Sequence, residues 1–440
     1  MKRLFSPGAT PWDYARAALS VAIACVVTYW MPESEFLLAN PETLTISMIT
    51  NEALVVLENN LKGALTINRQ FDKSFGVGGA KIGTTLNVRK PVRYTVSSGQ
   101  ALDLQSPVET QVSLVLDKQK HVDFQFSSSE LLLSVDEFSD RFLKPAIAAL
   151  ANQIDQDVLA ETIGIPYAVG TPGTTPNALL TYLQTAQKLN DNSTPLDGDR
   201  SLIITPLMEV TIVDALKGLF QQAAAIAEQY ATGMMGRAAG YKWYMDQNCR
   251  THTVGVQGGT PLVNGAAQTG ASLITDGWTA SITNVLRKGD IFTIANVNHV
   301  NPQSRQSTGQ VQQFVVTAAG DSTAGGAFTV SIDPPITISG ADQTVDAAPA
   351  DNAALTVLGA ASVASPTGVA WHRDCVTLAS ADLPVPTNVD MGARKSDEQL
   401  GFSIRVLRQY DISTDQWPTR ADVLYGSKLL RSELGCRVQG

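Results

Sequence analysis

The chain has 440 residues, of which 44% are hydrophobic and only 17% charged, with a formal net charge of -9. Its isoelectric point near 5.0 and its sparse charge exclude a protein that grips nucleic acid through a basic face. That length buries a substantial core and exceeds what a single core usually holds, so two or more folding units are expected. The four cysteines, Cys25, Cys249, Cys375 and Cys436, never form a CxxC pair, which indicates neither a zinc site nor a disulfide framework. A reducing cytoplasm is the simplest compartment for such a chain.

Lys2 and Arg3 precede an apolar run from Ala17 to Met31. This run is shorter than the roughly 20 residues that span a bilayer, Arg16 abuts it, and no small-residue cleavage site follows. An exported or membrane-anchored β-rich surface protein, an adhesin for instance, is the alternative this run supports. Another reading makes Met48 the working start. Thr50 and Asn51 would then cap a helix carrying Leu54, Leu57, Leu61 and Leu65 on one face.

The glycine-rich stretch Gly76 to Gly83 resembles a phosphate loop only superficially, because Lys81 is followed by Ile82 and a strand pattern instead of Ser or Thr opening a helix. Leu86 and Val88, then Val92, Tyr94 and Val96, alternate as a two-stranded excursion with Ser98-Gly99 at its tip. Arg89, Lys90 and Arg93 form its basic group, which is either a solubilised edge or a contact to a neighbouring subunit. A second alternating pair, Val112, Leu114, Leu116 and Val122, Phe124, Phe126, is expected to be joined through Asp117 to Lys120.

Beyond the acidic lead-in Asp136 to Lys144, one long helix is expected from Ala146 to Ile163, stopped by Gly164 and Pro166. Ile147, Leu150, Ile154, Val158 and Leu159 form its apolar stripe, while Gln153, Asp155, Asp157 and Glu161 fill the other faces. Asp157 and Glu161 place two carboxylates one turn apart, a spacing read as a solvated face because no histidine or second carboxylate helix accompanies it. Asn177 to Leu189 is helical, Ser201 to Ile204 a short buried strand, and Thr205-Pro206 opens another helix with proline in its first position. This α/β stretch closes near Tyr241 to Met245. Trp243, Tyr244 and Trp371 are expected in the core, since no basic cluster accompanies them.

From about residue 255 to 362 the composition turns to Gly, Thr, Ala, Val and Gln, and only strands and turns are expected. Arg287-Lys288-Gly289-Asp290 is a tight turn feeding a strand, as in small closed barrels. The C-terminal part reads as a ribbon: Phe402 to Ile412 as one strand of about ten residues, and Ala421 to Leu430 returning across it.

Candidate chemistry is scarce. The histidines are His121, His252, His299 and His372, and only Trp371-His372-Arg373-Asp374-Cys375 holds the side chains of a cysteine hydrolase. On a strand His372 and Asp374 share a face and Cys375 points the other way, so the three do not converge locally. No catalytic, cofactor-binding or metal-binding residue is assigned, and no enzymatic activity is expected.

The order of parts resembles the major capsid proteins of tailed bacteriophages, within them the coat-protein branch of short-tailed lambdoid phages whose axial lobe carries an inserted β domain. The resemblance runs from Met48 to Gly440 and is carried by Asp136-Glu137-Phe138 through Ile154, Arg287 to Asn296 (RKGDIFTIAN), Val369 to Asp374, and Arg405 to Tyr425. It implies an α+β fold: a peripheral domain with a long spine helix, an axial domain, an extended loop and an inserted all-β barrel. Residues 1–47 have no counterpart in that pattern. The implied division is an N-terminal arm over 48–75, the extended loop over 76–117, the peripheral domain over 118–174 and 386–440, the axial domain over 175–255 and 363–385, and the barrel over 256–362. The resemblance further implies pentamers and hexamers of this chain in an icosahedral shell, assembled in the host cytoplasm with a scaffolding protein and a portal protein. Packaged DNA would be held without sequence-specific contacts, and no membrane would be involved. Arg89, Lys90 and Arg93 are then candidate contacts between subunits.

Overall fold

The computed structural model describes residues 41–71, 85–127, 139–216, 237–397 and 401–440, apart from 97, 101, 103, 107 and 108. The Gly76 to Gly83 stretch, the Asp136 to Phe138 lead-in and the apolar run 17–31 lie outside the described residues.

Helix α1 spans Pro41–Asn60. Ala53, Leu54, Val56 and Leu57 are buried on its inner face, with Leu61 just beyond it, as the leucine spacing requires. Thr50 and Asn51 lie inside this helix and do not cap it. The helix begins earlier, with a proline in its first turn where no donor is needed, and Thr50 is buried at 1% exposure. A 3-10 turn at Ala64–Thr66 leads to strand β1, Asn68–Phe71.

Strands β2 (Thr85–Arg89) and β3 (Gln111–Val115) pair antiparallel, Arg89 facing Gln111, so the excursion turns around Ser98 to Gln100 as its alternation predicts. Val92, Tyr94 and Val96, however, belong to no strand. Strand β4 (Lys118–Ser127) does not fold back on β3 either. Its ladder partner comes from near the C-terminus, where a long edge offers ten paired residues, whereas β3 is already paired to β2.

Helix α2 runs from Lys144 to Leu159, preceded by a π-helical turn and finished by a 3-10 turn at Ala160–Gly164. The expected helix thus tightens over its last turn, a common way for terminal carbonyls to find donors. Its stripe, Ile147, Leu150, Ile154, Val158 and Leu159, is buried against α1 and the sheet that carries β4. Asp155 departs from the expected exposed face: it is 1% exposed and accepts the N–H groups of Lys62 (2.7 Å) and Ala64 (2.8 Å), fixing the turn that leaves α1.

The next elements are β5 (Ala168–Val169), α3 (Leu179–Asp191), β6 (Arg200–Ile204), α4 (Pro206–Leu216), β7 (Arg237–Ala238), β8 (Tyr241–Met245) and β9 (Thr251–Thr253). The Thr205 hydroxyl accepts the N–H of Met208 at 3.2 Å, the cap expected at the start of α4. All five residues of β6 are buried, as a short central strand demands.

A six-stranded β unit follows: β10 (Gly259–Val263), β11 (Gly270–Trp278), β12 (Ile291–Val300), β13 (Ser307–Val316), β14 (Phe328–Ile336) and β15 (Leu355–Val357). Their order is β10-β11-β14-β13-β12-β15. Backbone bonds from Val263 N to the Ala353 carbonyl (3.0 Å) and from Asn352 N to the Val263 carbonyl (2.9 Å) join the two ends into a barrel. Its core, including Val263, Leu273, Phe292, Phe314 and Val330, is separate from the cores of the remaining chain.

Strands β16 (Ala364–His372), β17 (Val376–Ala381), β18 (Met391–Asp397), β19 (Phe402–Arg408), β20 (Gln416–Leu429) and β21 (Gly435–Gln439) complete the chain. One sheet runs β5-β21-β16-β6-β8-β7 with β9 on β16, so the C-terminal strand lies in its interior. The other is organised by β20: one edge is shared between β17 and β19, and the opposite edge takes all of β4. The expected strand to Ile412 stops at Arg408. The Asp411 carboxylate accepts from Ser413 N (2.9 Å) and Thr414 Oγ1 (3.0 Å), which turns the chain and leaves Ile412 86% exposed.

Candidate functional site

No catalytic constellation assembles from the candidate groups. His372 Nε2 lies 2.9 Å from an Asp197 carboxylate oxygen, and His372 Nδ1 accepts the Asp374 N–H at 3.2 Å. Cys375 is fully buried in the main core, where desolvation pushes its thiol well above the ordinary range and removes it as a nucleophile. Trp243 and Trp371 are buried, and Trp371 Nε1 donates to Thr66 Oγ1 at 3.0 Å. Among the described residues no group of three or more His, Cys, Asp or Glu is placed to hold a metal, and no helix is long and apolar enough to cross a membrane.

Asp157 and Glu161 turn out to face the sheet, not solvent. Asp157 accepts the Tyr425 hydroxyl at 2.8 Å and stands 3.6 Å from Lys120 Nζ, while Glu161 accepts the Ser427 hydroxyl at 3.3 Å. Burial raises the Glu161 carboxyl above its ordinary range. Asp157 on α2 and Glu161 in the 3-10 turn that finishes it meet alternate residues of β20, so the two carboxylates fasten this helical segment to the ribbon.

The features that distinguish this molecule lie instead around the extended β2–β3 loop. Its base crosses β20 towards that strand's C-terminal end, where a Cβ on Gly426 would stand 2.1 Å from the Val115 carbonyl oxygen. Only glycine permits that approach. Arg89 pairs with Glu109 at 3.0 Å across the ladder, both side chains more than half exposed, an arrangement that adds little stability. Lys90 donates its backbone N–H to Thr110, which extends the ladder by one bond. Arg93 turns inward, 3.2 Å from Glu433 and 3.9 Å from Asp342. The three basic residues therefore do not form one patch. Further out, Tyr94, Val96, Leu102 and Leu104 are 61 to 99% exposed, four large apolar side chains on a short loop. A groove of about 670 Å³ lies beneath, bounded by Lys90, Tyr94, Tyr167, His299, Asp333 and Glu433.

Two polar joints connecting barrel and body escape sequence reasoning. Asp290 is buried, with one oxygen 2.8 Å from His252 Nε2 and the other accepting N–H groups of Gly255 (3.0 Å) and Arg287 (2.7 Å). Arg437 is buried beside it, donates to the Gly289 carbonyl at 2.8 Å, and is depressed by desolvation to about 10. The Arg287 to Asp290 turn was visible in sequence; that its aspartate would also hold the strand before the barrel was not. The second joint is His299, whose Nε2 lies 3.0 Å from Asn192 Oδ1 and whose ring meets Tyr167 edge-on. Burial lowers its pKa to about 4.

The described residues thus combine a strut helix, long ribbons and exposed apolar side chains at a loop tip. Among solved structures it is similar to a chain of Mycobacterium phage Che8 (13% identity, 86% of this chain and 90% of that one, TM-score 0.42). It is also similar to the capsid of Ralstonia phage GP4 (7% identity, 86% and 88%, TM-score 0.42). A separate similarity to the CUS-3 coat protein I-domain has 27% identity and spans 22% of this chain and 95% of that one, at a TM-score of 0.17. No curated protein matches. The profile described as P22 coat protein, gene protein 5, matches residues 80–440. The chain therefore belongs to the P22 coat protein family and is a structural subunit of a phage capsid shell.

Proposed function

We propose that this coat protein forms pentamers and hexamers that close into an icosahedral shell around double-stranded DNA. The exposed apolar loop tip carries this reading: Val96, Leu102 and Leu104 are each more than 80% exposed, and a subunit gains nothing from such residues until a neighbour covers them. Assembly takes place in the host cytoplasm, with a scaffolding protein inside the growing shell and a portal protein at one vertex. The net charge of -9 suits DNA held by confinement and counter-ions. The chain performs no catalysis of its own.

In this reading α2 and the β20 ribbons form the peripheral domain over 118–174 and 386–440, and residues 175–255 and 363–385 form the axial domain. The barrel over 256–362 is the inserted domain, residues 48–75 the arm and 76–117 the loop that reaches a neighbour. Arg89 and Lys90, at the loop base, contact that neighbour. Negative-stain electron microscopy of the chain expressed in bacteria, alone and with a candidate scaffolding protein, tests the reading. Shells, tubes or polyheads of uniform wall thickness are expected; monodisperse monomers in both samples would refute it.

A further inference from the structure

Three stretches far apart in sequence meet at the base of the extended loop. Arg93 Nη2 lies 3.2 Å from Glu433 Oε1, and Arg93 Nη1 lies 3.9 Å from Asp342 Oδ1. Glu433 Oε1 also takes Arg431 Nε at 3.1 Å. The Ser432 hydroxyl donates to Asp333 at 2.7 Å, tying the C-terminal segment to the barrel. Arg305 of the barrel donates to the Tyr94 carbonyl at 3.3 Å and to the Gly340 carbonyl. Burial raises the Asp333 carboxyl above its ordinary range, opposed by the Ser432 hydroxyl and by the charge of Lys90, which lines the same groove. Three cations, Lys90, Arg93 and Arg431, thus stand among three anions, Asp333, Asp342 and Glu433. Contributions come from the loop, the barrel and the segment before β21.

The loop needs such a tie. Its two strands pair only as far as Arg89 and Gln111, with one more bond at Lys90. Beyond that, the Gln105 side chain holds Thr95 by its N–H (2.8 Å) and carbonyl (2.5 Å), which stiffens the loop internally but does not aim it. A two-stranded ribbon alone is marginal in water, and its direction is free unless something outside it is engaged.

We infer that Arg93 is a positioning residue that latches the extended loop to the barrel and C-terminal segment of its own subunit, and so sets the direction in which the apolar tip is presented. This rests on the assembly reading above. It gives Arg93 a role distinct from that of Arg89 and Lys90. It also makes the barrel part of the mechanism that aims the loop.

Complementation in cis and in trans tests the inference. The variants are Arg93→Glu, Glu433→Arg, and both in one chain. Hydrogen exchange over residues 92–96 is measured in the unassembled subunit, and shell formation is followed by light scattering. Arg93→Glu is expected to accelerate exchange at 92–96 at least tenfold, leave the β4–β20 ladder unchanged, and slow assembly at least tenfold. The double variant restores both, and an equal mixture of the two single variants restores neither. A mixture that assembles as well as the double variant would place the pair between subunits and overturn the inference. So would unaltered exchange in Arg93→Glu, whether or not shells form, and this keeps failure of the latch distinct from failure of the assembly reading. Should the reversed charge prevent folding, Arg93→Gln is judged by the same exchange measurement, with the same direction expected.

Discussion

Asp155 and His299 are buried titratable groups with opposite consequences for stability. Desolvation raises the Asp155 carboxyl to about 6 against the hydrogen bonds from Ala64 and Lys62, with the Asp246 charge adding to the rise. The folded state therefore holds that proton more tightly than the unfolded chain, and stability from this group grows as pH falls from about 6 towards 4. His299, lowered to about 4, must stay neutral in the fold, so its contribution is lost as pH falls from about 6.5 towards 4. Each shift corresponds to about 3 kcal/mol at full extent, so the two largely offset in the native protein. We expect Asp155→Asn to fall further behind the native protein in stability as pH drops from 7 to 4.5. His299→Gln should gain on it over the same range. Urea denaturation across pH reads both slopes; parallel profiles for the three proteins would contradict the assignment. Asp155 was misread from sequence because helical spacing tells which face a residue occupies, not whether another segment's donors will arrive there.

Among the elements, β20 decides the most. Its 14 residues serve β17 and β19 on one edge and β4 on the other, and its Tyr425 and Ser427 donate to Asp157 of α2 and to Glu161 in the turn after it. Gly426 sits where β3 crosses. Gly426→Ala forces the Val115 carbonyl away and is expected to cost about 1–3 kcal/mol, as overpacking in a well-packed site does. A lower denaturation midpoint with faster exchange in β3 would show this, whereas an unchanged midpoint would mean that the crossing yields without strain. Helices α2 and α3 were legible in sequence, since a 3.6-residue stripe is a local property. The partner of β4 was not, because alternation identifies a strand but says nothing of which edge, some 300 residues away, will accept it. The tip at Ile412 was misread for a related reason: alternation continued past Arg408, but the Asp411 side chain competes for the backbone and turns it.

For the whole molecule, the barrel with its own core should fold without the rest. Residues 256–362 expressed alone are expected to give dispersed amide spectra and a cooperative transition. A collapsed spectrum would mean that the joints at Asp290 and His299 are needed for the barrel itself and do not merely dock it. The body differs, since its sheets thread the chain's end through their interior and leave apolar tips outside, so its stability is expected to rise on assembly.

Composition and periodicity by themselves determined the α+β class, a run of strands without helices between β9 and β16, and the strut helix, because each depends on residues close together along the chain. The order of parts added the resemblance to phage coat proteins. Only the tertiary structure decided which edges pair, that Asp157 and Glu161 bind a ribbon, that Asp290 and Arg437 form a buried joint, and that Arg93 stands beside Glu433. Those outcomes rest on contacts between segments up to some 340 residues apart, where the burial and hydrogen-bond partners of a side chain are set by packing and leave no local pattern in the sequence.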